Sequence, residues 1–229
     1  MILEVCCGSL EAVRMACSQG AHRVEFCSAL EVDGLTPPLA DIAAARSMFP
    51  DLRIHVLIRP RPGNFCYTPA EVDLMCEQIE QALDAGADGI VIGCLTPEGD
   101  VDIPAMERLM ETVRCCELAS ALQSDRCHAS NDFHFFPVQK EVSVTFHRAF
   151  DVCRRPMRAL EDIIGLGCDR ILTSGQAPSA QEGIPLLRRL VKKAGSRIII
   201  MPGGGITREN RDFIAAETGA TELHGTRLV

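Results

Sequence analysis

The sequence predicts an α/β fold, a TIM-type (β/α)8 barrel, on three observations. A short motif recurs in which a glycine ends a helix-like segment and an apolar run follows. It reads Gly20-Ala21-His22-Arg23-Val24, Gly86-Ala87-Asp88-Gly89-Ile90, Gly167-Cys168-Asp169-Arg170-Ile171 and Gly219-Ala220-Thr221-Glu222-Leu223. The runs are too brief for helices and lack polar alternation, as parallel strands covered on both faces do. Their starts recur at about the length of one strand, one helix and a return. An open doubly wound sheet is the competing architecture. It usually offers a glycine-rich turn after its first strand, and here that turn reads Cys6-Cys7-Gly8-Ser9.

Taken in order, strands are expected to start near Ile2, Arg23, Arg53, Asp88, Val142, Asp169, Arg197 and Thr221. Met1 leads directly into the first, so no signal peptide is expected. Helical periodicity fills the gaps from Leu10 to Ser18, Leu39 to Met48, Pro69 to Ala85, Pro104 to Leu118, Pro156 to Leu166, Ala180 to Lys193 and Thr207 to Ala216. Pro69, Pro104 and Pro156 each stand where a first-turn proline is tolerated. The return from the fourth helix to the fifth strand is overlong. Its polar, aperiodic stretch, near residues 115–140, reads as a surface insertion within one domain spanning 1–229, and Cys127, His128 and His134 inside it are not taken as a metal site. Val229 follows the eighth strand too closely for another helix, so the barrel is expected to lack or truncate its eighth helix.

Composition narrows the function. The 229 residues carry a net charge of −8, no Trp and one Tyr. Phosphate-tracking surfaces need basic residues and single-strand binding adds aromatic platforms, so nucleic acid is not an expected partner. No apolar run approaches the roughly 20 residues of a membrane span. The 12 cysteines include no CxxC pair, and a domain this large does not need disulfides, so reduced thiols in the cytoplasm are expected.

Barrel chemistry sits at the carboxyl ends of the strands. Glu4 and Cys6 alternate on the first strand, and Glu25 and Cys27 repeat the pattern on the second. Cys6 and Cys27, on neighbouring strands, are candidate ligands for a soft metal, Cu(I) being the one thiolates favour. The competing reading makes them small buried hydrophobes. Arg59 and Arg61 flank a rigid proline turn and suit an anion, as does the turn Gly203-Gly204-Gly205 at the usual barrel phosphate position. His147, with Arg148 and Asp151 close by, forms an acid/base and anion-binding cluster. Strand eight carries Glu222 and His224. These residues compose a second function, an enzyme acting on a small anionic or phosphorylated substrate. Arg59, Arg61, Arg148 and Gly203, Gly204 and Gly205 would hold the anion, while His147 with Glu25 or Glu222 moves protons.

Ordered along nearly the whole chain, the strings Leu3-Glu4-Val5-Cys6, Arg23-Val24-Glu25-Phe26-Cys27, Gly34-Leu35-Thr36-Pro37, Ile58-Arg59-Pro60-Arg61, Val144-Thr145-Phe146-His147-Arg148-Ala149-Phe150-Asp151, Leu172-Thr173-Ser174-Gly175 and Met201-Pro202-Gly203-Gly204-Gly205-Ile206 resemble the CutC copper homeostasis family. The resemblance implies a cytosolic TIM-type barrel, a homo-oligomer (dimer or tetramer), and a role in copper handling. It also implies Cu(I) binding through the cysteines that stand here as Cys6 and Cys27.

Overall fold

The computed structural model describes residues 1–126 and 142–229. Eight strands, β1 (Ile2–Cys7), β2 (Arg23–Phe26), β3 (Arg53–Leu57), β4 (Gly89–Ile92), β5 (Ser143–Phe146), β6 (Arg170–Thr173), β7 (Ile199–Pro202) and β8 (Glu222–Gly225), lie in one sheet in the order β7-β6-β5-β4-β3-β2-β1-β8. All ladders are parallel. The remaining seam, β7 to β8, is joined by the parallel bridge Gly203↔His224, which leaves a nearly closed TIM-type barrel. The helices alternate with the strands: α1 (Leu10–Ser18), α2 (Leu39–Met48), α3 (Pro69–Asp84), α4 (Ile103–Arg126), α5 (Pro156–Leu166), α6 (Ile184–Ala194) and α7 (Arg211–Thr218).

Local chemistry explains where the helices begin and end. Ser9 caps α1 by accepting the Ala12 N–H, and Thr68 and Glu71 form a reciprocal capping box with Pro69 in the first turn of α3. Gly167 ends α5 at φ 83°, a left-handed conformation that penalises a Cβ. Three boundaries differ by more than two residues from those the sequence predicts. α4 continues past Leu118 to Arg126, while 127–141, with Cys127, His128 and His134, lie outside the described residues. α6 starts at Ile184 rather than Ala180, because Ser179 and Glu182 close a turn first and Gly183 lies against the Ser174 carbonyl, where a Cβ would come within 1.8 Å. α7 starts at Arg211 rather than Thr207. The intervening backbone is tied down instead, Arg208 N–H donating to the Arg227 carbonyl and Thr207 N–H to Asn210 Oδ1.

The strands separate two kinds of interior. Outward-facing Val5, Val24, Phe26, Ile54, Val56, Ile90, Ile92, Val144 and Phe146 belong to one continuous apolar core with the helices. Burying each such side chain contributes about 1.5–3 kcal/mol before entropy is counted. The inward face is largely polar; its apolar residues include a small cluster of Cys27, Leu57 and Val91 with Cys6 packed against it, and Met201, whose sulfur meets the Arg23 guanidinium. Among the described residues no helix follows β8. Residues 226–229 lie back on α7, where Leu228 is fully buried and its carbonyl accepts from Arg211 Nη1. No described helix is long and apolar enough to cross a membrane.

Candidate functional site

The amino-terminal half of the barrel interior is filled by charge. Arg23 donates to Glu4 and, at 2.6 Å, to Glu222. Arg170 reaches the same Glu222 oxygen at 3.1 Å and the hydroxyls of Ser143 and Thr145. All four charged residues are buried, and two cations face two carboxylates, so the layer is balanced within itself. Buried charges persist only when paired in this way. Glu4 also links this layer to the next one up. Its Oε1 lies 2.8 Å from His224 Nδ1, and its Oε2 lies 3.7 Å from His55 Nδ1.

Above the layer, toward the strand carboxyl ends, opens a cavity of about 490 Å³. Cys6, Glu25, Arg59, His147, Arg148, Gly204, Gly205 and His224 all line it. The register explains part of this assembly, since β1 pairs Glu4 with His224 on one side and Cys6 with Glu25 on the other. Cys6 Sγ donates to Glu25 Oε1 at 3.7 Å and stands 3.8 Å from Cys27 Sγ. Cys27 is buried behind it, its thiol 3.5 Å from the Cys7 carbonyl. Ligand atoms of Cys6, Glu25 and His224 lie within 4.8 Å of one another, a grouping that suits a metal ion.

Burial and neighbours set the protonation states. Burial favours a neutral Glu4, but the His224 hydrogen bond and the Arg23 charge outweigh it and hold the carboxyl well below its usual range. Burial likewise opposes a charge on His224, yet Glu25, Cys6 and Glu4 together raise its pKa well above that of a free imidazole. The Cys27 hydrogen bond, followed by burial, pushes the Cys6 thiol far up. Burial, helped by the Glu4 charge, raises Glu25 against the pull of the His224 charge. On the opposite wall, burial and then the Arg59 charge lower His147 to about 3.

Of the residues singled out from the sequence, the cavity gathers Cys6, Glu25, Arg59, His147, Arg148, Asp151, Gly204 and Gly205. The others stand elsewhere. Glu222 belongs to the charged layer beneath. Arg61 points away to Glu71, with further bonds to the Asn64 and Cys66 carbonyls. Gly203 extends the sheet, its N–H donating to the Thr173 carbonyl. Arg148 is half-exposed and already engaged by Asp151 at 2.8 Å and Ser174 at 3.2 Å. His224, given no role from the sequence, and Phe65 are among the cavity residues that the site reading passed over, as are Asp33 and Arg227. The alternation Glu222, His224 carried the signal for the histidine. Nothing in the sequence marks Phe65, which reaches the cavity from a loop.

Known proteins match this chain along its whole length. The CutC family model covers residues 1–132 and 135–229. A CutC protein of Bacteroides thetaiotaomicron is 45% identical over 221 residues, 96% of this chain and 78% of the relative. One from Pasteurella multocida is 41% identical over 224 residues, 98% of this chain and 81% of the relative. The solved structure of CutC from Streptococcus agalactiae superposes with a TM-score of 0.85 at 31% identity, covering 100% of both chains. Agreement of family model, sequence and barrel over the full chain makes this protein a member of the CutC family.

Proposed function

We propose that this chain is a cytosolic copper homeostasis protein that binds Cu(I) as cargo through Cys6 and Cys27, with His224 as third ligand. Copper homeostasis is the role carried in the name of the Streptococcus agalactiae neighbour. The observation that carries the reading is the pair of sulfurs 3.8 Å apart at the cavity wall. With metal–thiolate bonds of about 2.3 Å, a linear site needs sulfurs about 4.6 Å apart, whereas 3.8 Å corresponds to an angle of roughly 110° at the metal. A bent pair leaves room for a third donor, and His224 lies within the same grouping as Cys6. Its Nδ1 is held by Glu4, which leaves Nε2 for a ligand in the carboxylate–histidine arrangement typical of metal sites. Thiolate and imidazole are donors that Cu(I) accepts, and binding needs no redox turnover.

The test is a titration of the reduced, anaerobic protein with Cu(I) against a competing chelator. One tight equivalent per chain is expected, lost in the Cys6→Ser, Cys27→Ser double variant with the fold intact. Stoichiometric binding that persists in that variant refutes the ligand assignment. Weak binding spread over many of the 12 cysteines refutes the site itself.

A further inference from the structure

We infer that the cavity also binds a small organic monocarboxylate, held between Arg59 and His147. Both residues are buried, at 4% and 5% exposure, and both line the cavity. Each keeps one buried nitrogen without a partner, Arg59 Nε and His147 Nε2. Such atoms are rare in a folded interior and call for an explanation. The rest of the Arg59 guanidinium is satisfied. Nη1 donates to the carbonyls of Val32 at 2.7 Å and Gly34 at 2.8 Å, and Nη2 to that of Gly63 at 3.0 Å. These carbonyls fix the group without neutralising it, and among the described residues Arg59 makes no ion pair. A buried guanidinium lacking a counter-ion is costly, and a bound anion offsets that cost.

The His147 tautomer follows from its surroundings. Nδ1 accepts the Ala149 N–H at 3.1 Å, so the ring proton sits on Nε2, and that nitrogen donates whether the ring is neutral or charged. Phe65 touches both residues, its ring centroid 5.2 Å from Arg59 Cζ and 5.0 Å from the His147 ring centroid. The cavity is therefore lined by two residues that each hold an unpartnered N–H donor, one of them a cation with no ion pair among the described residues, beside an aromatic face. A carboxylate supplies one oxygen to each donor and a single negative charge. Its carbon chain would lie against Phe65, Leu57, Leu172 and Ile206, which line the same space. Glu25, Asp33 and Asp151 share the lining with Arg148, Arg227 and His224, so apart from Arg59 the wall charges are matched and a monoanion balances the site better than a dianion such as phosphate. A volume of about 490 Å³ is within the range of small-molecule sites.

This site uses none of the proposed copper ligands and stands independently of that reading. The experiment is calorimetric titration of the metal-free protein, and of the Cys6→Ser, Cys27→Ser variant, with acetate, lactate and pyruvate. Chloride and inorganic phosphate are run at matched ionic strength. Saturable binding of at least one of the three carboxylates, one per chain, is expected in both proteins, with phosphate weaker. His147→Phe and Arg59→Lys should each weaken it by about tenfold or more, the effect of losing a hydrogen bond to a charged group. Because these substitutions touch buried side chains, ¹⁵N NMR of the unmodified protein supplies a second readout. The His147 Nε2 resonance should move with carboxylate concentration along the same saturation curve. Absence of saturable binding, a stationary Nε2 resonance, or undiminished affinity in folded His147→Phe would each overturn the inference. Preference for phosphate would overturn the carboxylate assignment. A chain that binds these carboxylates but no Cu(I) keeps this inference and loses the copper reading, and the reverse result does the opposite.

Discussion

His224 lies 2.8 Å from Glu4, and this bond couples the cavity to the charged layer beneath it. Glu4 simultaneously takes the Arg23 guanidinium, so one carboxylate positions a cavity imidazole and balances a buried cation. Glu4→Gln should therefore do two things. It leaves Arg23 and Arg170 sharing Glu222 alone, and breaking a buried pair from one side costs about 3–5 kcal/mol. It also frees His224 to rotate. Urea unfolding should report the first effect, and Glu4→Gln with Arg23→Met together should destabilise less than the sum of the two separately. Simple additivity would show that the layer does not act as a unit.

Gly93 permits the close approach of His147 to β4. A Cβ there would come 2.6 Å from His147 Cε1, 2.7 Å from Nδ1 and 3.3 Å from Ala149 Cβ. The ring cannot yield freely, because Nδ1 is bonded to the Ala149 N–H. Gly93→Ala should cost about 1–3 kcal/mol through overpacking and displace the ring, seen as a moved His147 ¹⁵N signal. Gly165, inside α5, has nothing within 4 Å of its added Cβ. Gly165→Ala should instead stabilise the protein by about 1 kcal/mol through helix propensity. Equal effects at the two glycines would contradict the close-approach argument.

The contrast between Glu222 and His224 marks the limit of what the sequence disclosed. Alternation on the strands correctly placed Glu4, Cys6, Glu25 and His147 on the interior, because a period of two is a local property of any strand. Both Glu222 and His224 share that face, but depth along the barrel depends on strand stagger, which no single strand encodes. Pairing of Glu4 with His224 lifts the histidine to the cavity and leaves Glu222 with the arginines below. Arg59 and Arg61 diverge for a similar reason. Both follow β3, yet Glu71 of the α3 capping box captures Arg61, a contact that exists only once the loop has folded. Helices α1, α2 and α5 match their expected bounds: Ser9 caps α1 and Pro156 and Gly167 bracket α5, signals that lie within or beside the segments themselves, while α2 starts after Pro38 without a side-chain cap.

Buried neutral histidines make stability fall in mild acid. Burial lowers both His55 and His147 to about 3, whereas an unfolded histidine titrates near about 6.5. The unfolded chain therefore takes up these protons first. The stability is fully present above about pH 6.5 and is lost as pH falls toward 3, with a limiting slope of about 1.4 kcal/mol per pH unit for each histidine. His224, raised in the fold, acts oppositely: its contribution is complete below about 6.5 and is lost as pH rises through the folded value. Urea unfolding between about pH 6.5 and 5, run in a Glu25→Gln background because burial raises that carboxyl, separates the two buried neutral rings from the ordinary carboxylates. His147→Gln should remove about half of the histidine slope in that window, and an unchanged slope would mean that His147 is not held neutral.

Copper binding at Cys6 and Cys27 must expel protons, because the thiolate and not the thiol is the ligand. The Cys27 hydrogen bond and burial hold the Cys6 proton firmly, and His224 carries a proton that a metal at Nε2 would displace. Each proton released below the pKa of its donor raises the apparent affinity about tenfold per pH unit. Competition titrations at about pH 6.5 and 7.5 should therefore give affinities differing by at least tenfold, with protons appearing in weakly buffered solution as Cu(I) is added. His224→Gln should reduce the proton count while both cysteines remain. If affinity is independent of pH, the metal is bound elsewhere, because no ion can occupy these sulfurs without displacing the hydrogen that Cys6 directs at Glu25 or Cys27.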